Sequence, residues 1–336
     1  MSNRKKITVF IILFFSASML LLIIINYRTP FVTKEKTGWS IGVSFFNSID
    51  DLRNIDEGKI YSKEWLKQLN DSTSFLADPF FVKKDSLFYI FFEHQKIKPG
   101  ADIGLLVSKD GLNYQYKGTV LDEAFHLSYP QVFEYKNEYY MLPESQAANN
   151  VLLYKSHNFP YDWRIHDTII PNIKLKDPTI FVSDTLNILV ASDNEMRMHM
   201  YTSESLNGKW MKHKNKPIVM VGTEARAGGR FINNNGSLIL PVQNSSHGYG
   251  YGLSLYEFEF NNLDYRVKKI SHLHLKATKD ILEFSGGMHH LDLQKINNQF
   301  YAVYDGNAIK DNPEQNLNWK GPLKWNYLDL KNSLFY

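Results

Sequence analysis

The sequence predicts an all-β fold, a five-bladed β-propeller preceded by a single N-terminal transmembrane helix. Three observations predict it. A phrase recurs with variation: Ala77-Asp78-Pro79-Phe80-Phe81-Val82, then Ser128-Tyr129-Pro130-Gln131-Val132-Phe133, then Lys176-Asp177-Pro178-Thr179-Ile180-Phe181. Each copy runs into a second apolar stretch, at 87–92, 138–142 and 186–190. The prolines fall about 50 residues apart, the spacing of four-stranded propeller blades. Aromatic residues make up 14% of the 336 residues, which suits wide packed sheets. Finally, Ile7 to Ile25 is almost wholly apolar, broken by Ser16 and Ser18, and long enough to span a bilayer.

Residues 1–6 read as a cytoplasmic N-terminus, 7–27 as the anchor, 28–70 as a stalk and lead-in, and 71–336 as the propeller. Arg4, Lys5 and Lys6 ahead of the apolar run favour a cytoplasmic N-terminus. The alternative is a cleaved signal peptide. It needs a shorter apolar region and a small-residue cleavage site, and Ile23-Ile24-Ile25-Asn26-Tyr27 offers none. The reading is therefore a single-pass membrane protein whose C-terminal domain lies outside the cytoplasm, with the lipid bilayer as one partner. The chain has no cysteine, which excludes lipoprotein attachment, disulfides and thiol chemistry. A formal net charge of +3 is too small to argue for nucleic acid.

The lead-in carries one short helix, over 62–69. From 71 onward the pattern is short apolar or alternating runs broken by turn signals such as Lys109-Asp110-Gly111, Asn207-Gly208 and Asn235-Gly236. No further segment has a long 3.6-residue period. The first blade reads as strands over 78–82, 87–93, 104–108 and 114–120. The second and third open at Tyr129 and Asp177. Two looser units begin near Ala227-Gly228-Gly229-Arg230-Phe231 and Gly287-Met288-His289-His290-Leu291, which makes five.

The innermost strands of a propeller begin at one mouth of its channel. The polar residues at those starts, Asp78, Tyr129, Asp177, Arg226 and His289 or His290, are therefore expected to converge. Carboxylates accept sugar hydroxyls or do acid/base work, tyrosine offers a ring face, and arginine clamps an anionic group. Glu144 ends the second strand of its blade in Met141-Leu142-Pro143-Glu144, where proline breaks the ladder. This gives Asp78, Glu144 and Asp177 as candidate catalytic acids, and His126, Tyr129, Arg226, Arg230, Gln243 and His289 as candidate substrate-binding residues. Adjacent residues of a strand point to opposite faces, so His289 and His290 are not expected to share an ion. No spacing resembles a zinc site, and neither metal nor cofactor is expected. Glycine-rich His247-Gly248-Tyr249-Gly250-Tyr251-Gly252 leads into no helix and reads as a close-approach loop at the channel mouth.

The stretches Phe125-His126-Leu127-Ser128-Tyr129-Pro130-Gln131-Val132-Phe133-Glu134 and Tyr139-Tyr140-Met141-Leu142-Pro143-Glu144-Ser145 carry a family resemblance. With Ala77-Asp78-Pro79-Phe80, Asp177-Pro178-Thr179-Ile180-Phe181, Gly229-Arg230-Phe231, Pro241-Val242-Gln243 and Tyr249-Gly250, they resemble the N-terminal propeller domain of plant glucosamine inositolphosphorylceramide transferases and its bacterial relatives. The likeness runs from about 75 to 306. It implies a propeller in a carbohydrate setting, with the glycosyl transfer of the plant proteins carried by a separate C-terminal domain that is not expected within this chain. More distantly, the fold resembles the five-bladed propeller of family 43 and family 32 glycoside hydrolases. There Asp78 matches the first acid, while Tyr129 stands where a second Asp is usual and Asp177 where a Glu is usual. The expected function is a membrane-anchored, carbohydrate-active propeller that cleaves or transfers a glycosyl unit in envelope glycan metabolism. The alternative is a non-catalytic glycan-binding or scaffold propeller in a polysaccharide or glycolipid assembly system. A glycan or glycolipid is the expected ligand of either.

Overall fold

A computed structural model describes residues 3–53, 55, 58–69, 71–96, 100–183, 187–214, 217–218, 221–234, 236–261 and 264–335. Asn70 of the lead-in, Leu186 of an expected strand and Asn235 of an expected turn lie outside them, as do Met1, Ser2 and Tyr336. The recurring phrases become the inner strands of blades. Blade one consists of Thr73–Lys84, Leu87–Lys96, Asp102–Ser108 and Tyr114–Leu121, joined antiparallel in sequence order. Blades two, three and four repeat this order from Ser128–Tyr135, Lys176–Phe181 and Ile232–Asn234. The turns use the chemistry the sequence offers. In Lys109-Asp110-Gly111, the Asp110 carboxylate accepts the N–H groups of Leu112 at 2.9 Å and Asn113 at 2.7 Å.

Blade five corrects the assignment of residues 28–70 to a stalk and lead-in. Leu291–Ile296 and Gln299–Ile309 pair onward to Lys36–Phe46 and Lys59–Tyr61, so the segment after the anchor supplies the two outer strands of the last blade. Ile41 lies opposite Asp305 and Val43 opposite Val303, and both apolar side chains are fully buried. Joining the two ends of the domain in one sheet removes the open edge that a linear array of blades would leave. The short helix is present as Lys63–Gln68, with the Ser62 hydroxyl accepting the Trp65 N–H.

The apolar N-terminal run forms one helix, Asn3–Arg28, long and apolar enough to cross a membrane by length and composition. A third helix, Lys320–Phe335, falls inside the stretch read as propeller, where the sequence predicts none. Its apolar residues serve two sides: Pro322 and Leu328 are buried, whereas Tyr327, Leu330 and Leu334 are exposed. Two apolar faces blur the single stripe by which an amphipathic helix is recognised. This helix meets the end of the N-terminal helix through an Arg28–Asp329 ion pair and an Asn326–Thr29 hydrogen bond of 3.0 Å. Val32–Lys34 also pairs antiparallel with Gln315–Leu317.

Aromatic rings fill the gaps between blades, and some need glycine opposite them. A Cβ at Gly42 would stand 2.2 Å from the Tyr304 ring, and Tyr304 is buried at the joint between the two ends of the domain. Gly42→Ala is therefore expected to destabilise the fold by about 1–3 kcal/mol through overpacking, read as a lower midpoint in thermal or urea unfolding.

Candidate functional site at the channel mouth

At each inner strand the recurring phrase makes a bulge. The pairing skips between Ala77 and Phe80, between Ser128 and Gln131, and between Lys176 and Thr179. The residue before each proline is left-handed, with φ of 51° at Asp78, 50° at Tyr129 and 47° at Asp177. An aspartate tolerates that region and a tyrosine rarely does. A bulge takes a residue out of the ladder and re-aims its side chain, here into the channel. Fifteen residues after each bulge, the second strand presents Glu93, Glu144 and Ser192. The same step links Gly228 to Gln243 and His290 to Asp305, so the five units are in phase.

These positions form one cluster. Arg226 clamps Asp177 with two bonds, Nε to Oδ2 at 2.6 Å and Nη2 to Oδ1 at 2.9 Å, and reaches Glu144 Oε2 at 3.8 Å. Gln243 Nε2 donates to Asp177 Oδ2 at 3.1 Å. The Asp177 N–H donates to Glu144 Oε2 at 3.0 Å, and Gln146 Nε2 donates to Glu144 Oε1 at 2.7 Å. Across the mouth, Asp305 accepts the Asp78 N–H at 3.0 Å and pairs with His289 Nδ1 at 2.8 Å. Asp78 Oδ1 lies 3.9 Å from His289 Nε2 and 3.7 Å from His290 Nδ1. Glu93 Oε1 lies 3.4 Å from His126 Nε2. Among the described residues, the Asp78 and Glu93 carboxyl oxygens accept no hydrogen bond, whereas Glu144, Asp177 and Asp305 all do.

An aromatic shelf covers the cluster. The Trp39 ring stacks on His289 at 3.7 Å and 8°, Tyr249 stands edge-on to both, and the Arg226 guanidinium lies 5.9 Å from the Tyr249 ring. Trp39 and Tyr249 also line a cavity of about 800 Å³ whose walls include Lys34, Lys36, Asn307 and Lys324. Asp78 and Glu93 keep 7% of their surface exposed and Glu144 keeps 4%, so the acids sit inside without being sealed. The glycine-rich loop is a close-approach loop, as expected: a Cβ at Gly250 would meet the Trp39 ring at 2.3 Å.

Burial sets the proton affinities. It pushes the Asp78 carboxyl up to about 7, against the pull of His289. It pushes Glu144 up to about 8, with the Asp177 charge adding to the rise. Burial and the neighbouring carboxylates hold Glu93 well above the usual range. Asp305 goes the other way, because His289 outweighs its burial. Burial lowers His290 to about 4, and neither of its ring nitrogens has a hydrogen-bond partner. His126 is also lowered by burial. The mouth thus holds protonatable carboxyls, an ionised carboxylate and a neutral imidazole together, the mixture that acid/base chemistry uses.

The structure brings Asp78, Glu144, Asp177, Arg226, Gln243 and His289 together, and joins His126 to them through Glu93. Two expected residues are placed elsewhere. Tyr129 is fully buried and offers no ring face: its hydroxyl hydrogen-bonds Thr179 Oγ1 at 2.8 Å and the Gly229 carbonyl at 3.0 Å, and accepts the Gly229 N–H at 2.7 Å. Arg230 is bound by Asp292 at 2.8 and 3.0 Å and by the Phe81 and Val132 carbonyls at 3.1 and 2.8 Å, so its guanidinium ties blades rather than facing the acids. Asp177 is a counter-ion, not a free acid, because Arg226 occupies both its oxygens. His289 and His290 both reach Asp78, against the alternation expected of a strand, because left-handed Gly287 (φ 152°) and the irregular segment before Leu291 break it. Donor atoms of Asp78, His289 and Asp305 lie within 4.8 Å of one another, close enough to hold a cation.

Glu93, Trp39 and Asp305 join the site without being candidates from the sequence, and Tyr249 enters it from the loop expected at the mouth. Glu93 had a signal, since it follows Asp78 by the same step that separates Tyr129 from Glu144. Trp39 had none, because it comes from the segment read as a stalk.

Fold and site define a five-bladed propeller with an acid-lined channel mouth. The chain belongs to a known family: the model for glucosamine inositolphosphorylceramide transferase 1, N-terminal, matches residues 33–307. Glucosamine inositolphosphorylceramide transferase 1 of Oryza sativa subsp. japonica is 35% identical over 253 residues, 70% of this chain and 34% of that protein. The Arabidopsis thaliana protein of the same name is 30% identical over 321 residues, 84% of this chain and 41% of its own length. This chain therefore spans well under half of the curated relatives it matches. Among solved structures, an α-L-arabinofuranosidase from Clostridium thermocellum superposes with a TM-score of 0.51 at 16% identity, over 68% of this chain and 81% of that one. An exo-1,5-α-L-arabinanase from a bovine ruminal metagenomic library gives 0.50 at 14%, over 68% and 87%. These two likenesses show the fold alone.

A carboxyl held above its unfolded value binds its proton in the folded state at pH values where the unfolded chain has released it. That contribution to stability is whole below the unfolded value and is lost as pH rises through the folded one. For Glu144 the window runs from 4.5 to about 8. The unfolding temperature is expected to fall across this window, and to fall less in Glu144→Gln; identical pH profiles would refute the assignment. Tyr129→Phe leaves the buried Gly229 N–H without its acceptor. It should cost about 1–3 kcal/mol in urea unfolding without displacing the acids at the mouth.

Proposed function

We propose that the channel mouth binds a glycosyl unit and acts on it, cleaving or transferring it with the buried carboxyls as acid and base. The chain is a carbohydrate-related propeller by its family, and its plant relatives are named glucosamine inositolphosphorylceramide transferases. One observation carries the catalytic reading: five acids from the repeat, Asp78, Glu93, Glu144, Asp177 and Asp305, meet under an aromatic shelf, and the first three have raised proton affinity. Asp78 would act as base or nucleophile. It is clear of hydrogen bonds to its carboxylate and is aimed by its bulge. A protonated neighbour, Glu93 or Glu144, would act as acid, with Glu93 the better placed because Glu144 already accepts two hydrogen bonds. Arg226 would pair with Asp177 and contribute positive potential, while Trp39 and Tyr249 would offer ring faces to a sugar. In this reading the Asn3–Arg28 helix anchors the protein, with the propeller outside the cytoplasm.

The Arg226–Asp177 clamp and the tyrosine at position 129 favour a second reading, a glycan-binding propeller without turnover. The two separate cleanly. Full-length protein in detergent is incubated with a panel of aryl glycosides and glycolipids, and product release is followed beside binding on a glycan array. Catalysis predicts turnover that Asp78→Asn abolishes and Glu93→Gln lowers at least a hundredfold, the scale of a lost general acid, with binding retained. Full activity in Asp78→Asn sinks the assignment. Binding without turnover, lost in Trp39→Ala, establishes the second reading.

A further inference from the structure

The C-terminal helix Lys320–Phe335 carries apolar residues on two opposite sides. One side is used: Leu328 is buried with Met196 and Ala225, and Trp325 packs on them. The other is open. Trp319, Leu323, Tyr327, Leu330 and Leu334 follow one another at steps of four, four, three and four residues, which puts them within an arc of about 80° on a helix. They are 38 to 72% exposed together with neighbouring Leu317 and Phe335. Lys320, Lys324 and Lys331 run along one edge of that arc. The stripe is aromatic at Trp319 and Tyr327, the residues that favour the level of lipid headgroups.

Its position says what would cover it. An apolar run from Ile7 to Ile25 crosses about 28 Å at 1.5 Å per residue, which places Asn26 to Thr29 at the headgroup level on the far side. The C-terminal helix is fastened there, by Asp329 to Arg28 and by Asn326 to Thr29. Gly222 also donates its N–H to Asp329, which ties this corner to the propeller.

We propose that the Lys320–Phe335 helix lies in the bilayer surface beside the emerging anchor, with its Trp319–Leu334 stripe among the lipid chains and Lys320 and Lys324 at the headgroups, while Lys331 pairs with Glu195 at 2.9 Å. This rests on the anchor reading above. A helix with one apolar face for the protein and a second for lipid, edged by lysine, is the arrangement of an interfacial segment. Pro322, Lys324 and Trp325 of the helix line the same cavity as Thr29 and Pro30. Docking the helix on the membrane would therefore hold the mouth of the channel at the bilayer surface.

The absence of cysteine makes the test direct. Single variants Leu13→Cys, Tyr327→Cys, Leu330→Cys and Lys268→Cys of the full chain are labelled with an environment-sensitive fluorophore. They are reconstituted into phosphatidylcholine–phosphatidylglycerol vesicles with and without nitroxide-bearing lipid. Labels at 13, 327 and 330 should shift their emission to the blue and lose intensity to the nitroxide, with 268 unchanged. A quenched label at 13 with water-like labels at 327 and 330 overturns the inference and leaves the anchor standing. Labels at 327 and 330 shielded from both water and nitroxide overturn it too, and assign the stripe to a protein contact. A water-exposed label at 13 removes the anchor and the inference together.

Discussion

The structure depends on how one blade satisfies the backbone of the next. Each bulge lifts an N–H out of its own ladder, and a buried N–H without an acceptor costs roughly as much as a lost hydrogen bond. The side chains of neighbouring blades supply the acceptors. Asp305 takes the Asp78 N–H and Glu144 takes the Asp177 N–H. One layer deeper, Asp292 takes the Phe81 N–H and Gln131 takes the Ile180 N–H. The ring of blades is thus stitched by polar side chains converging on the axis, and the apolar wedges between blades pack around that stitching.

The same arrangement creates the site. Carboxylates drawn into the axis to accept N–H groups are taken out of water, and their neighbours are other carboxylates. Desolvation and mutual repulsion raise their proton affinity, and only local cations reverse this, as His289 does for Asp305. Where a carboxyl is used as an acceptor, as in Glu144, it serves the fold. Asp78 and Glu93 accept no hydrogen bond among the described residues and face histidines instead, His289 and His290 beside Asp78 and His126 beside Glu93. A buried carboxyl that serves no backbone donor is a candidate functional group on physical grounds. The Trp39–His289 stack and the Tyr249 edge then separate this charged floor from the larger cavity above it.

Particular residues show what could be read in advance. The Asp78-Pro79 and Asp177-Pro178 pairs were legible because a bulge at a fixed phase leaves a repeated local signature. Glu144 was legible because proline marks the end of its strand. Glu93 shares its phase with Glu144 but sits in Phe91-Phe92-Glu93-His94, where nothing local distinguishes a channel acid from the end of an ordinary strand. Tyr129 and Arg230 were misplaced for one reason: residue type and strand position say that a side chain points inward, but not whether a sugar or another blade will meet it there. Arg230 meets Asp292 and two carbonyls, and Tyr129 meets the Gly229 backbone.

Repeat spacing, apolar alternation and turn residues are local properties, and by themselves they determined the propeller, its five units, the apolar N-terminal helix and the candidate acids. The rest needed partners distant in the chain. Closure of blade five joins Lys36–Phe46 to Gln299–Ile309 across most of the domain, and no local pattern in either strand names the other. Trp39 reaches the site only because of that closure. Whether a buried acid is an acceptor, a counter-ion or a free carboxyl is decided by groups on other blades, as Arg226 decides for Asp177. Tertiary structure alone sets those neighbours, because charge and desolvation act through space and not along the chain.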